Sequence, residues 1–271
     1  MPKVSVITTV FNGQNFVERS IKSVLGQDYS DFEWVVVDDG SSDDTLSALR
    51  SKLGNDPHVR IFKPGRLGRS KALNFAVQKS KGEYIANHDI DDYSFDHRLK
   101  VQTNILDNNS KIGVVGGNHI ALDKTRGEKY VREQPTSHKD IVRAMTHYIP
   151  ISHHIATFRK EVWRNAGGYP SAENAIDMKM WIRVLNTKWK MRNPPEVLGK
   201  HVIHPGSFWK SNFSYLERQL DLLKLNIKVV NDRNLPHFYY MYPILRVFYA
   251  ISPSFVKRLA RKLVHVVNKQ K

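Results

Sequence analysis

Glu83-Tyr84-Ile85-Ala86-Asn87-His88-Asp89-Ile90-Asp91-Asp92 is the stretch on which the reading of this chain turns. Tyr84-Ile85-Ala86 is a short β-rich run that leads straight into three carboxylates within four positions, Asp89, Asp91 and Asp92. Like charges that close repel, so a folded chain gathers them around a counter-charge. A divalent cation supplies one. Hard oxygen ligands suit Mg²⁺ or Mn²⁺, and such ions bridge protein carboxylates to substrate phosphates. A solvated acidic loop is the alternative for the stretch taken alone.

The residues before it repeat the same strand-then-polar pattern. Val4-Ser5-Val6-Ile7-Thr8-Thr9-Val10 is a β-branched run of the kind buried on both faces in parallel sheets. Asn12-Gly13 makes a turn, and Val17, Ile21, Val24 and Leu25 recur at helical spacing. Trp34-Val35-Val36-Val37 reads as a second strand, ending in Asp38-Asp39-Gly40-Ser41-Ser42. Ser41 or Ser42 is placed to cap the next helix, with Leu46, Leu49 and Leu53 as its inner stripe. Val59-Arg60-Ile61-Phe62 is a third strand, and Pro64 to Gly68 is a loop into a helix carrying Leu73, Ala76 and Val77. Strand and helix thus alternate, which predicts an α/β domain with a mainly parallel central sheet.

In such sheets the ligand lies beyond the carboxyl ends of the strands. Thr8, Thr9 and Val10 end the first strand, Asp38 and Asp39 the second, and Asp89, Asp91 and Asp92 the fourth. Gly68-Arg69-Ser70-Lys71 starts a helix, where free N–H groups and two cations can meet an anion. A nucleotide diphosphate with a metal accounts for all of these. The bland alternative is that Asp38 and Asp39 only cap and Lys71 is solvated.

These blocks resemble a known family. Val4 to Asn12, then Val35-Val36-Val37-Asp38-Asp39-Gly40-Ser41-Ser42-Asp43-Asp44-Thr45, is similar to the opening of the family 2 inverting glycosyltransferases of GT-A fold. Gly68 to Asn74 and Gly82-Glu83-Tyr84-Ile85 resemble the next two blocks, and Asp89-Ile90-Asp91-Asp92, followed by Arg98-Leu99, resembles the Asp-any-Asp metal motif. The likeness runs in order over residues 3–210. It implies a Rossmann-like GT-A sandwich over residues 1–210, with a nucleotide-sugar half (1–115) and an acceptor half (116–210), and a helical, basic C-terminal extension (211–271). It implies nucleotide-sugar contacts at Thr9, Val10, Asn12, Asp39, Gly68, Lys71, Asp89 and Ile90, with Asp39 accepting from a uracil ring N–H. Asp91 would be the principal metal ligand, Asp89 would sit near ribose and metal, and Asp92 would assist. The cofactor would be Mn²⁺ or Mg²⁺ and the donor a UDP-sugar.

The second half supplies a base. Ala175-Ile176-Asp177-Met178-Lys179-Met180-Trp181 resembles a family segment that usually reads Glu-Asp before an apolar, Trp-containing helix. Asp177 falls on the general-base position, and Ile176 departs from the pattern. Inverting transfer needs one carboxylate to remove the acceptor proton; a simple helix N-cap is the alternative role, and Glu173 is the nearest other carboxylate. His153 and His154 are adjacent, so their rings point apart. Packing or substrate hydrogen bonds are therefore expected of His153 rather than metal ligation. His201-Val202-Ile203-His204-Pro205-Gly206-Ser207 resembles the segment that closes over the diphosphate; His204 is the better match to a phosphate or metal contact.

Bulk numbers bound the rest. The 271 residues suffice for one large domain or two fused halves. There is no cysteine, so disulfides, thiolate metal sites and a cysteine nucleophile are excluded. The start of the sequence has no signal-peptide pattern, and no run approaches the roughly 20 apolar residues of a membrane span. The net charge of +16 calls for a polyanionic partner. Leu216, Leu220, Leu223 and Ile227 outline an amphipathic helix, residues 237–243 are rich in aromatics, Ile244 to Ile251 is apolar with a lone Arg246, and Phe255, Leu259, Leu263 and Val266 oppose Lys257, Arg258, Arg261 and Lys262 on another helix. Such a tail suits an anionic membrane surface. Taken with the family resemblance, it implies a cytoplasmic enzyme attached to the inner face of the cell membrane, with a glycan acceptor, lipid-linked, for cell-surface polysaccharide. A basic nucleic-acid-binding protein, a metal-dependent nucleotidyltransferase and a non-catalytic sugar-nucleotide binder are the rival readings. Nucleic acid is not expected, because the basic residues cluster in the tail rather than among aromatic side chains on one face.

Overall fold

The computed structural model describes residues 1–172, 174–206 and 215–253. Its centre is a seven-stranded sheet. In chain order the strands are β1 (Val4–Val10), β2 (Phe32–Asp38), β3 (Val59–Phe62), β4 (Tyr84–Asn87), β6 (Ile112–Val115), β9 (Thr157–Arg159) and β10 (Lys190–Arg192). Their spatial order is β10-β6-β9-β4-β1-β2-β3. β1 runs parallel to β2 and β4, and β2 to β3, as the alternation predicts; β9 alone is antiparallel, to both β4 and β6.

The apolar runs are continuous because both faces are covered. Trp34 and Val36 point into a core with Val6, Leu49, Leu99 and Leu106, while Val35 and Val37 point into one with Ile7, Leu73, Phe158 and Trp181. That split follows the period of two along a strand. The helices that cover these faces are α1 (Val17–Leu25), α2 (Thr45–Leu53), α3 (Arg69–Lys79), α4 (Arg98–Asp107), α5 (His138–Ala144), α6 (Lys160–Asn165) and α7 (Ile176–Leu185). The expected serine cap on α2 is absent: Asp44 occupies the N-cap position without a side-chain bond. Ser41 and Ser42 instead meet Asn12, whose own N–H donates to Ser41 Oγ at 3.0 Å and whose Oδ1 accepts from Ser42 N–H at 2.8 Å. The side-chain hydroxyls thus stitch together the loops after β1 and β2.

A second, four-stranded sheet was not legible in the sequence. It consists of β5 (Tyr93–Ser94), β7 (Asn118–Asp123), β8 (Glu128–Arg132) and β11 (Val197–Ile203), in the order β5-β11-β7-β8. The solvated excursion read at Lys124, Arg126 and Lys129 is the hairpin joining β7 to β8. β5 pairs with β11 through Gly199 and Ser94. A Cβ at Gly199 would lie 2.4 Å from the Tyr93 carbonyl oxygen, so only glycine allows this approach. The pairing matters for the site: it carries the chain leaving Asp91 onto the strand that ends beside His204.

The C-terminal part adds α8 (Tyr215–Asp232) and α9 (Met241–Ile251). α8 sets Leu222, Leu225 and Val229 into the same core as α7, and α9 packs on α8. The amphipathic helix expected over residues 255–266 lies outside the described residues.

Candidate active site

The carboxyl ends of β1, β2 and β4 open onto a cavity of about 420 Å³. Thr9, Val10, Asn12, Asp39, Asp89, Ile90, Asp91 and His204 all line it, together with Phe11, Phe16, Arg66 and Arg69. Gly68 and Lys71 do not. Gly68 spends its N–H on Asp39, at 3.1 and 3.2 Å from the two carboxylate oxygens, so it is not held out to an anion. Lys71 is exposed. Helical residues two positions apart stand about 200° apart around the axis, so only one of Arg69 and Lys71 can face the cavity, and it is Arg69.

Asp39 organises the cavity wall. Its oxygens also accept from Leu67 N–H at 2.6 Å and Arg66 Nη1 at 2.8 Å. Arg66 in turn lies over the Phe11 ring, 3.7 Å from its centroid. An aromatic and a guanidinium at the mouth suit a flat, polar ring. Neither Phe11 nor Arg66 was singled out from sequence. Their place directly after β1 and before Gly68 was the available signal.

Asp91 and His204 converge at the other end. Asp91 Oδ2 stands 3.1 Å from His204 Nε2, and Phe16 packs on the imidazole with ring centroids 5.1 Å apart. Magnesium binds its ligands at about 2.0–2.1 Å, so neighbouring ligands on one ion sit about 3 Å apart. The pair fits a shared cation that opens toward substrate. Asp89 is turned away from this pair. Its Oδ2 accepts from Arg69 Nη2 at 3.1 Å, and His153 Nδ1 lies 3.6 Å from Oδ1. Burial pushes the Asp89 carboxyl up, but Arg69 and His153 overcome it and hold the group well below the usual carboxylate range.

Asp92 does not assist in the cavity. It is buried, accepts from Val202 N–H at 2.8 Å, and lies 3.0 Å from His201 Nδ1. The reason is its place at the entry to β5, which turns it under β11. His154 Nδ1 is 3.7 Å from the same carboxylate, and its ring stacks on His201. Asp92, His154 and His201 offer three ligand atoms within 4.8 Å of one another, an N,N,O set. Burial raises Asp92 to about 6. Burial lowers His201, but Asp92 outweighs that and lifts it to about 9. The two are therefore a charged pair at neutral pH. They fasten the Asp89–Asp92 loop to β11, which keeps Asp91 opposite His204.

The adjacent histidines do point apart. His153 faces Asp89 and Tyr169, with Nε2 3.2 Å from the Tyr169 hydroxyl, while His154 faces Asp92 and His201. The Tyr169 hydroxyl donates onward to Asn87 Oδ1 at 3.2 Å.

Asp177 occupies the first turn of α7, half-buried, with Oδ1 accepting from Met178 N–H at 2.9 Å. It is not the N-cap; that position is Ala175, in the left-handed region at φ 44°. Burial raises its pKa, and His153, the Met178 N–H and Arg69 pull it back part of the way. Asp177 does not line the cavity itself. It acts on it through Arg69, whose half-buried guanidinium is held in the charged form, against the lowering effect of burial, by the charges of Asp89, Asp177 and Asp91. Of the three, Asp89 bonds the guanidinium directly, and Asp91 and Asp177 act on it through their charge. Trp181, predicted beside Asp177, is fully buried with its indole N–H on the Ile151 carbonyl. Glu173 lies outside the described residues.

The sequence model described as "Glycosyl transferase family 2" matches residues 5–166, which is most of the chain. The chain belongs to glycosyltransferase family 2. The O-antigen biosynthesis glycosyltransferase WbnJ of Escherichia coli is 32% identical to this transferase over 219 residues, spanning 79% of this chain and 85% of its own length. The putative glycosyltransferase EpsE of Bacillus subtilis is 28% identical, over 91% and 90% of the two chains. Among solved structures, a mannosyltransferase from Pyrobaculum calidifontis in complex with GDP-Man and Mn²⁺ superposes with a TM-score of 0.67 at 21% identity, covering 91% of this chain and 69% of that one. S. aureus TarS 1–349 with UDP-GlcNAc gives 0.65 at 18% identity, over 92% and 73%. The fold is GT-A, and the transferase carries it with its helical C-terminal part.

Proposed function

We propose that this transferase moves a sugar from a UDP-sugar to a hydroxyl of a glycan acceptor, with inversion, in the synthesis of a cell-surface polysaccharide. The observation that carries the reading is the cavity at the strand ends, where Asp91 Oδ2 and His204 Nε2 converge to 3.1 Å beside the Arg69–Asp89 pair. The nucleotide would lie in the cavity of Thr9, Val10, Asn12, Asp39 and Ile90, its base against Phe11 and Arg66. Asp91 and His204 would hold Mn²⁺ or Mg²⁺, which neutralises the charge that grows on the departing diphosphate. Arg69 stands beside them to meet the same charge.

Asp177 takes the proton of the acceptor hydroxyl as its oxygen bonds to the anomeric carbon. The bond from that carbon to the phosphate oxygen breaks, and the nucleoside diphosphate leaves with the electron pair. Attack opposite the leaving group inverts the centre. Burial suits Asp177 to the task by raising its proton affinity toward working pH. Relatives named for O-antigen and amylovoran biosynthesis support a polysaccharide product. The acceptor would be lipid-linked, with the chain held at the inner face of the membrane through its basic C-terminal segment. Among the described residues no helix is long and apolar enough to cross a bilayer.

The test is incubation with Mn²⁺ and a panel of sugar nucleotides. Slow release of nucleoside diphosphate from a UDP-sugar supports the reading. Release of pyrophosphate from a nucleoside triphosphate would favour a nucleotidyltransferase instead.

A further inference from the structure

Helix α9 is fixed on one side and bare on the other. Pro243 and Ala250 are buried against the domain, and Arg246, between them in helical register, donates to the His147 carbonyl and, at 2.8 Å, to Asn226 Oδ1. The opposite row is Met241, Leu245, Phe248 and Ile251, each 58–60% exposed, with Phe238 before the helix at 62%. Single exposed apolar side chains are ordinary, but a contiguous row of large ones marks a contact surface. The guanidinium anchor prevents the helix from rolling over to bury it. At 11 residues the helix is about 16 Å long, half the thickness of a bilayer core, so it can lie on a membrane but not span one.

We infer that this row is a docking face that inserts into the headgroup boundary of an anionic phospholipid bilayer. Charge complementarity selects that occupant. From Val247 to Lys271, beyond the anchored Arg246, the sequence has six Lys or Arg and no Asp or Glu. A purely apolar protein partner would leave those cations unanswered, whereas an anionic bilayer answers both the row and the charges. Tyr242, 49% exposed on the flank of the row, suits the headgroup level. The placement also has a consequence for the acceptor. α9 packs on α8, and α8 on α7, whose first turn carries Asp177. The acceptor half, not the nucleotide half, therefore lies nearest the lipid. The inference rests on the membrane-surface reading of the tail and narrows the contact within it to one face of α9.

Full-length protein is floated with phosphatidylcholine vesicles with and without phosphatidylglycerol. Two variants are compared with it: Leu245→Ser with Phe248→Ser, and Lys257, Arg258, Arg261 and Lys262 all →Gln. The serine pair should lower binding to anionic vesicles about tenfold or more, with donor hydrolysis and the melting temperature unchanged. Loss with the glutamine variant but not with the serine pair would overturn the docking face and leave the tail as the membrane contact. No flotation of the full-length protein would overturn both. A fall from dimer to monomer in the serine pair, read by light scattering without lipid, would show that a second copy covers the row and would also overturn it.

Discussion

His204 Nε2 stands 3.1 Å from Asp91 Oδ2 although 113 positions separate the two residues. The pairing of β5 with β11 closes that interval, and it does so at both ends: Gly199 opposite Ser94, then Asp92 on the Val202 N–H. A cation at this junction would be held by protein on one side and open to diphosphate on the other. His204→Ala should weaken Mn²⁺ binding in the presence of UDP by about tenfold or more, and EDTA should abolish UDP release from the wild type. Titration calorimetry with Mn²⁺ checks this. Unchanged affinity in the variant, together with loss of binding in Asp92→Asn, would move the cation to the buried Asp92–His154–His201 set.

Asp177→Asn should lower transfer by about 10³-fold or more while leaving UDP-sugar affinity within about threefold, since a base acts on the acceptor and not on the donor. The pH dependence follows from the direction of the shift. Burial raises the Asp177 pKa above that of a solvated aspartate. The base must be ionised to work, so kcat should fall with acid and its lower limb should sit above 3.8, the ordinary aspartate value. A profile flat through that range, or turnover in the asparagine variant, would remove Asp177 from the proton transfer.

Arg69 bears on both halves at once. Its guanidinium bonds Asp89 and is sensed by Asp91 and Asp177. Arg69→Met would remove the positive charge that lowers both Asp89 and Asp177, so both should take up protons more readily. The expected result is a rise in KM for the donor and a shift of the acid limb to higher pH. Arg69→Lys, which keeps the charge but not the fork, should restore the limb more than the KM. A variant whose acid limb does not move would show that Arg69 does not set the proton affinity of the base.

The parts that were legible are those governed by local pattern. β1, β2 and β4 announced themselves because both faces of each strand are buried, and their polar ends fell at the cavity for the same topological reason. Helical phase decided what was misread: Lys71 and Arg69 carry the same charge, and only rotation about α3 separates them. The second sheet was hidden because β5 has two residues and β8 is exposed along its whole length, so neither shows an alternating apolar face. Asp92 and His201 were separable from Asp91 and His204 only once that sheet existed. Their pairing is a long-range contact that no spacing in the chain records.

Among the described residues, Arg98 is the largest charged side chain sealed from solvent, 1% exposed. It donates to the Asn87 carbonyl at 2.7 Å, Ser94 Oγ at 2.7 Å and Gln102 Oε1 at 3.2 Å, and so braces the start of the acidic loop from below. Burial lowers its pKa to about 9. Arg98→Met fills similar volume but leaves those acceptors unpaired, and each buried polar group left unsatisfied costs about 1–3 kcal/mol. Urea unfolding should show that loss with an unchanged slope. A cost under about 1 kcal/mol, typical of exposed pairs, would mean that water reaches this network.

The Asp92–His201 pair gives a stability that depends on alkali. Asp92, against the lowering effect of burial, lifts the His201 imidazolium to about 9, compared with 6.5 for the ordinary group. The folded chain therefore holds that proton more tightly than the unfolded chain does. Its stabilising effect is complete below pH 6.5 and is lost as pH rises through about 9. The melting temperature of the wild type should exceed that of His201→Gln at pH 6.5, and the gap should close between pH 8 and 10, over the range in which the folded imidazolium titrates. Because the pair sets β11 against the Asp89–Asp92 loop, Mn²⁺ affinity at Asp91 and His204 should weaken over the same interval in the wild type alone. A gap that stays constant with pH would mean that His201 holds β11 by packing on His154 and not by its charge.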